Sequence, residues 1–301
     1  MIKNCAKRKL IITTFALLIF LITLTFPKTE EEIKNVTITY TKATSSPIYL
    51  LNKEDYVART NISLQGEKQL DKAKELIEIL TIDNAKSAYI PNVFEPVIPK
   101  GTKVLSIDIQ DTTLKINFSK EFLNIPTGYE EKMLECLVYS LTELENIDGI
   151  IIYVEGEILE KLPNSSQKLP PLLTRDIGVN KVYDLTNLKN VTKTTTYYIA
   201  KEQNIDYYIP VTLLDNNEKD KVEIIIERLK SQPNVKTNLI SYLTANTELT
   251  NYEILESEIK LSFSPLLYEG LASEDIEEEV KYSISLSMQD TLNVENVTFV
   301  E

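Results

Sequence analysis

The chain has 301 residues, 43% hydrophobic and 26% charged, which is enough for one large or two medium globular cores and excludes wholesale disorder. It carries 32 Lys and Arg against 45 Asp and Glu, and setting aside Lys3, Lys7, Arg8 and Lys9 at the N-terminus leaves 28 against 45, a net of −17 on the rest. Phosphate backbones and anionic headgroups repel such a body, which argues against nucleic acid and membrane-surface docking, and the absence of histidine removes His triads, His general bases and imidazole metal sites.

In chain order, the first element is an uncharged stretch, Leu10 to Phe26. As a helix it spans about 25 Å, slightly short of a hydrocarbon core of roughly 30 Å. Basic residues precede it and Glu30, Glu31 and Glu32 follow, so the positive-inside bias predicts a short cytoplasmic N-terminus with the bulk of the chain extracytoplasmic. The flank Thr23 to Lys28 offers no small-x-small cleavage site, which favours an uncleaved single-pass transmembrane anchor (1–27) over a signal peptide. Cys5 lies before this segment and Cys136 after it, so no intrachain disulfide is expected. Residues 28–47 read as a spacer, although Val36, Ile38 and Tyr40 alternate as an edge strand would.

An internal repeat follows. Ile48 to Leu80 matches Tyr197 to Leu229 without a gap, pairing Tyr49 with Tyr198 and Leu64 with Leu213, and Leu114 to Ser119 matches Ile259 to Ser264. The two blocks define copies at 48–156 and 197–301, each long enough for its own core. Copy one opens with two strands ending at Leu51 and Leu64, then a helix with Leu70, Ala73, Leu76, Ile77 and Leu80 on one face. Leu105, Ile107 and Ile109 alternate, Gln110 to Thr113 turns the chain, and Leu114, Ile116 and Phe118 alternate back as a hairpin. A second helix carries Met133, Leu134, Leu137, Val138, Leu141 and Leu144, and Ile150 to Val154 is a buried strand.

The order β-β-α-β-β-α-β predicts an α+β fold, a sheet covered on one face by two helices, made twice in tandem. Copy two repeats the order, with Ile276, Val280, Ile284 and Met288 matching the second helix only if its register slips by about one residue. Between the copies, 157–196 is a connector containing Pro163, Pro170 and Pro171.

The segments PKGTKVLSIDIQDTTLKINFSKEF (Pro99 to Phe122), LVYSLTEL (Leu137 to Leu144) and the strand beginning at Ile150 resemble the GerM-domain family, as does the connector LPPLLTRDIGVNKVYD. The resemblance covers most of 48–301 and is strongest in copy one. It implies exported, membrane-tethered tandem domains associated with sporulation and germination, which act by assembling with other proteins and carry no catalytic motif. Copy two lacks a counterpart of Gly101, the residue expected to supply a positive-φ turn into the hairpin.

The candidate residues are few. Ser165 and Lys168 form an SxxK match in the Pro-rich connector, read as a solvated loop rather than a nucleophile and base. Glu274, Asp275 and Glu277 to Glu279 read as a charged first helical turn, not a metal site. Cys136 reads as a half-buried structural thiol. Arg175 and Asp176 stand out because arginine occurs only four times; they are read as partner contacts or as an interdomain ion pair, and Tyr197 and Tyr198 as further contact candidates, in the tyrosine-rich second copy. The expected function is a membrane-anchored scaffold component, not an enzyme and without cofactors, working through a protein partner or a second copy of itself. The alternative is a module that binds cell wall or a secreted protein without assembling.

Overall fold

A computed structural model of the chain describes residues 44–203, 205–231, 239–240, 243, 246–264 and 274–300. The apolar segment at 10–26, Cys5 and most of the spacer lie outside the described residues. Among the described residues no helix is long and apolar enough to cross a membrane.

Copy one begins with the hairpin β1 (Thr44–Asn52) and β2 (Val57–Leu64), paired antiparallel from Thr44↔Leu64 to Leu51↔Val57. Its turn is organised by Asn52, whose Oδ1 accepts from the amides of Glu54 and Tyr56, with Asp55 at a φ of +62°. Helix α1 (Gln69–Leu80) buries Ala73, Leu76, Ile77 and Leu80, as its spacing predicts. The two-residue β3 (Phe94–Glu95) pairs with the end of β1. Next come β4 (Val104–Gln110), β5 (Thr113–Phe118), α2 (Glu130–Leu141), β6 (Gly149–Val154) and the short β7 (Glu157–Ile158). Copy two has β9 (Thr192–Glu202), β10 (Ile205–Asp215), α3 (Lys221–Lys230), β11 (Leu249–Ile254), β12 (Glu258–Phe263), α4 (Glu274–Leu292) and β13 (Asn296–Val300), and β8 (Val182–Asp184) belongs to the connector. The β-β-α-β-β-α-β order is therefore present twice.

The sheets differ from the expectation of one sheet per copy with both helices on one face. Each copy splits its strands: β4-β5-β6-β7 and β11-β12-β13 form two separate sheets, while the opening hairpins join in one shared sheet, β3-β1-β2-β10-β8, with β9 also on β10. Helix α2 touches β1 and β2 on one side and β6 on the other, and α4 touches both β9 and β13. The helices thus lie between sheets, which is why α2 is buried almost all round, including Cys136, Tyr139 and Ser140. Cys136 is fully buried, and burial raises its thiol pKa well above the ordinary value.

Two local departures have identifiable causes. A β-bulge between Val104 and Ser106 shifts the register of β4, so Leu105 turns outward at 49% exposure while Val104, Ile107 and Ile109 face the core side. Gly101 takes a φ of +83° as the third residue of a turn in which the Thr102 amide donates to the Pro99 carbonyl.

Candidate functional site at the junction of the copies

The copies meet where β2 runs antiparallel to β10 with Arg59 opposite Tyr208. In that register Val57 comes opposite Pro210, which has no amide hydrogen to give the ladder. Asn180 of the connector fills the gap. Its Nδ2 donates to the carbonyls of Val57 and Pro210, both at 2.7 Å, and its Oδ1 accepts from the Val57 amide at 2.9 Å. Asn180 holds a φ of +46°, a backbone region asparagine tolerates better than most residues. Its own amide donates to Glu135 Oε2, and the other oxygen of that carboxylate is 2.7 Å from Lys181 Nζ. The connector is therefore built into the shared sheet rather than strung between two bodies.

A second cluster lies on the helix side of the shared sheet. Tyr49 and Tyr197 are both fully buried, and their hydroxyls are 3.0 Å apart. The backbone around each is held alike: the Tyr49 amide donates to Ser140 Oγ of α2, and the Tyr197 amide donates to Ser287 Oγ of α4. These bonds make Tyr197, not Tyr198, the counterpart of Tyr49, one residue away from the gapless match. With Ser140 equivalent to Ser287, the next acidic residues of the two helical segments, Glu143 and Asp290, are equivalent as well. Tyr49 Oη lies 2.9 Å from Glu143, and Tyr197 Oη 3.2 Å from Asp290.

Arg175 joins the two halves. It approaches Glu143 at 2.7 Å and Asp290 at 3.4 Å, donates through Nε to Thr142 Oγ1, and places its guanidinium 5.0 Å from the Tyr139 ring centroid and 5.8 Å from that of Tyr49. A forked, planar cation suits a site with two carboxylates and two aromatic faces, and lysine would satisfy only part of it. Arg59 adds a second cation 3.5 Å from Glu143, its Nη1 donating to Tyr282 Oη at 2.7 Å. Two arginines thus face two carboxylates.

Burial pushes the Glu143 carboxyl up, but Arg175 and Arg59 together outweigh that and leave it below its ordinary value. For Asp290 burial wins and its pKa is raised, with only partial relief from Arg175.

The other candidates fall outside this cluster. Asp176 is 90% exposed on its side chain and pairs with Lys193 at 2.7 Å, so it is not the partner of Arg175. Tyr198 is buried within copy two, and burial raises its pKa to about 12. Tyr197 and Tyr198 therefore form no exposed aromatic patch, because both rings are buried, on opposite faces of β9. Ser165 lies in an exposed loop where its amide donates to Glu130 Oε2 and its Oγ accepts from the Gln167 amide; Lys168 bridges backbone with Lys161. The side chains of residues 274–277 lie outside the described residues, and among those described no acidic, Cys or His cluster is arranged to hold a metal.

Sequence reasoning missed Arg59, Asn180, Glu143 and Asp290. A signal was present for the last two: each is the first carboxylate after the apolar run of its helical segment, and resolving the helix register slip would have aligned them.

Three comparisons with known proteins agree with this architecture. The family model described as Germane, sporulation and spore germination, matches residues 47–160. Spore germination protein GerM of Bacillus subtilis (strain 168) is 30% identical over 283 residues, covering 90% of this chain and 75% of that protein. The solved tandem GerMN domains of the sporulation protein GerM from Bacillus subtilis superpose with a TM-score of 0.76 at 26% identity, over 85% of this chain and 90% of that one.

Proposed function

The chain belongs to the GerM family of sporulation and spore-germination proteins, and from that premise we propose that it is a membrane-anchored, extracytoplasmic scaffold whose tandem domains act as one rigid platform for a protein partner. The observation that carries this reading is the junction. A connector residue completes the shared sheet and Arg175 ties equivalent carboxylates of the two copies, so the copies keep one relative orientation. A fixed spacing between two similar domains suits docking into an assembly better than independent capture of small ligands. The anchor is assigned to Leu10 to Phe26, with the rest of the chain outside the membrane. The reading is non-enzymatic, with Ser165 and Lys168 taken as part of an exposed connector loop in which Ser165 Oγ accepts from the Gln167 amide.

The test is mass determination by light scattering on the full chain in detergent micelles, alone and with a detergent-extracted membrane fraction from the same cells. Growth to a discrete complex supports the scaffold; an unchanged mass together with retention on purified cell wall would replace it with a passive binding module.

A further inference from the structure

Helix α1 and the edge strand β4 leave a groove of about 620 Å³ between them. Ile77, Val104 and Ile107 line it with apolar surface, and the β4 bulge turns Leu105, at 49% exposure, into the same lining. The backbone beside it has free hydrogen-bonding capacity. The Phe118 carbonyl accepts from the Glu155 amide on the β6 side, so even-numbered residues of β5 turn their backbone groups to β6 and odd-numbered ones to β4. Opposite those odd residues stand Ser106, Asp108 and Gln110, which leaves the amides and carbonyls of Ile107 and Ile109 directed outward. Among the described residues nothing pairs with that edge of β4, nor with the equivalent edge of β11 in copy two. The chain runs on through described residues at both ends of β4, so this edge belongs to the repeat and not to a terminus.

Charge distinguishes the copies at this place. Lys86 is held by Glu78 and Lys100 by Asp83, whereas Lys74 and Lys103, which line the groove, form no salt bridge among the described residues. Copy two carries the opposite charge at both positions. Matching the buried Leu76, Ile77 and Leu80 of α1 to Ile225, Ile226 and Leu229 of α3 sets Lys74 against Glu223. The Ser119 amide donates to the Lys103 carbonyl as the Ser264 amide does to that of Glu248, so Lys103 corresponds to Glu248. In a chain this acidic, two lysines without acidic partners beside an apolar groove suit a negatively charged occupant. Their spacing sets its shape. Thr81, just past the end of α1, bridges Ile98 shortly before Lys103, and Lys74 stands two turns back along the helix, about 10 Å away. In an extended chain, residues on one face recur every second position, so two acidic residues four apart span about 13 Å with one side chain between them on the same face.

We propose that the groove between α1 and β4 docks an extended segment of a partner protein, added as a strand to the outer edge of β4. The segment carries an apolar residue that fills the groove and an acidic residue two positions to either side of it, facing Lys74 and Lys103. This rests on the scaffold reading and names the surface through which it works.

The test uses the full chain in detergent and the labelled peptide Thr-Glu-Thr-Ile-Thr-Glu-Thr, read by fluorescence anisotropy. The peptide binds, while a twin with lysine for both glutamates and a twin N-methylated at its three central amides each bind at least about tenfold more weakly. Lys74→Glu with Lys103→Glu, which installs the charges of copy two, costs at least about tenfold; the equally charged control Lys168→Glu with Lys189→Glu, at exposed positions of the connector, leaves binding unchanged. An unfolding midpoint equal to wild type shows that the groove variant is folded. No binding, equal binding of the acidic peptide and either twin, or equal binding by wild type and the groove variant overturns the proposal. So does growth of the chain's own mass with concentration that the groove variant abolishes, since the groove then belongs to a second copy. A membrane-fraction complex that survives the groove substitutions sinks the groove alone, and a wild-type chain that forms no complex sinks the scaffold reading.

Discussion

The two copies resemble each other most where they meet and least where they face outward. At the junction, a tyrosine of the first strand, a helix serine and a carboxylate one turn further on recur in both copies: Tyr49, Ser140 and Glu143 against Tyr197, Ser287 and Asp290. At the periphery, among the described residues, one outer sheet has four strands and the other three. Two chemically similar halves meeting face to face need one asymmetric element to neutralise like charges, and the connector supplies it as Arg175. Away from the junction nothing requires the copies to match.

Removing the element that breaks the symmetry should have the largest effect. Arg175→Ala leaves Glu143 with only Arg59 and Asp290 with no cation, and is expected to cost roughly 3–5 kcal/mol, read as a lower urea midpoint with the two copies unfolding separately. Should the variant unfold in one step at the wild-type midpoint, the junction does not hold the copies together. Asn180→Ala strands the Val57 amide and carbonyl and the Pro210 carbonyl, and should cost about 2–3 kcal/mol on the same readout.

The two equivalent carboxylates should respond oppositely to pH. Glu143 has a lowered pKa, so its contribution is complete above the unfolded value of about 4.3 and is lost as pH falls through the folded value. Asp290 has a raised pKa, so its contribution is complete below the unfolded value of about 3.9 and is lost as pH rises through the folded one. Glu143→Gln should therefore flatten the loss of stability toward acid and Asp290→Asn should steepen it, measured as urea midpoints across pH 3 to 7 in steps of about half a unit. Parallel curves for both variants would show that the two sites are electrostatically alike. The smallest effect is expected for Asp176→Ala, which removes an exposed pair with Lys193 and should change the midpoint by less than about 0.5 kcal/mol.

Much of the fold was legible because it follows from local periodicity. The apolar faces of α1 and α2, the turn between β4 and β5 and the repeated strand order all follow from alternation at two or near four residues. Leu105 shows the limit of that logic, since a single bulge reverses the side of one residue without leaving a trace in the pattern. Arg175 was singled out by its rarity, but its partners were not, because they are more than thirty residues and more than a hundred residues away along the chain. Asp176, adjacent to it, looked equally promising and turns to solvent.

From the sequence alone came the acidic charge, the duplication, the two helices per copy and the turn at Gly101, because each depends on composition or on neighbours within a few residues. Only the tertiary structure decided that the opening hairpins share one sheet, that Asn180 replaces the hydrogen bond Pro210 cannot make, and that β7 and Leu173 cover the outer edge of β6. Those features depend on which backbone groups of distant segments meet, and side-chain periodicity does not encode the partner of a strand edge.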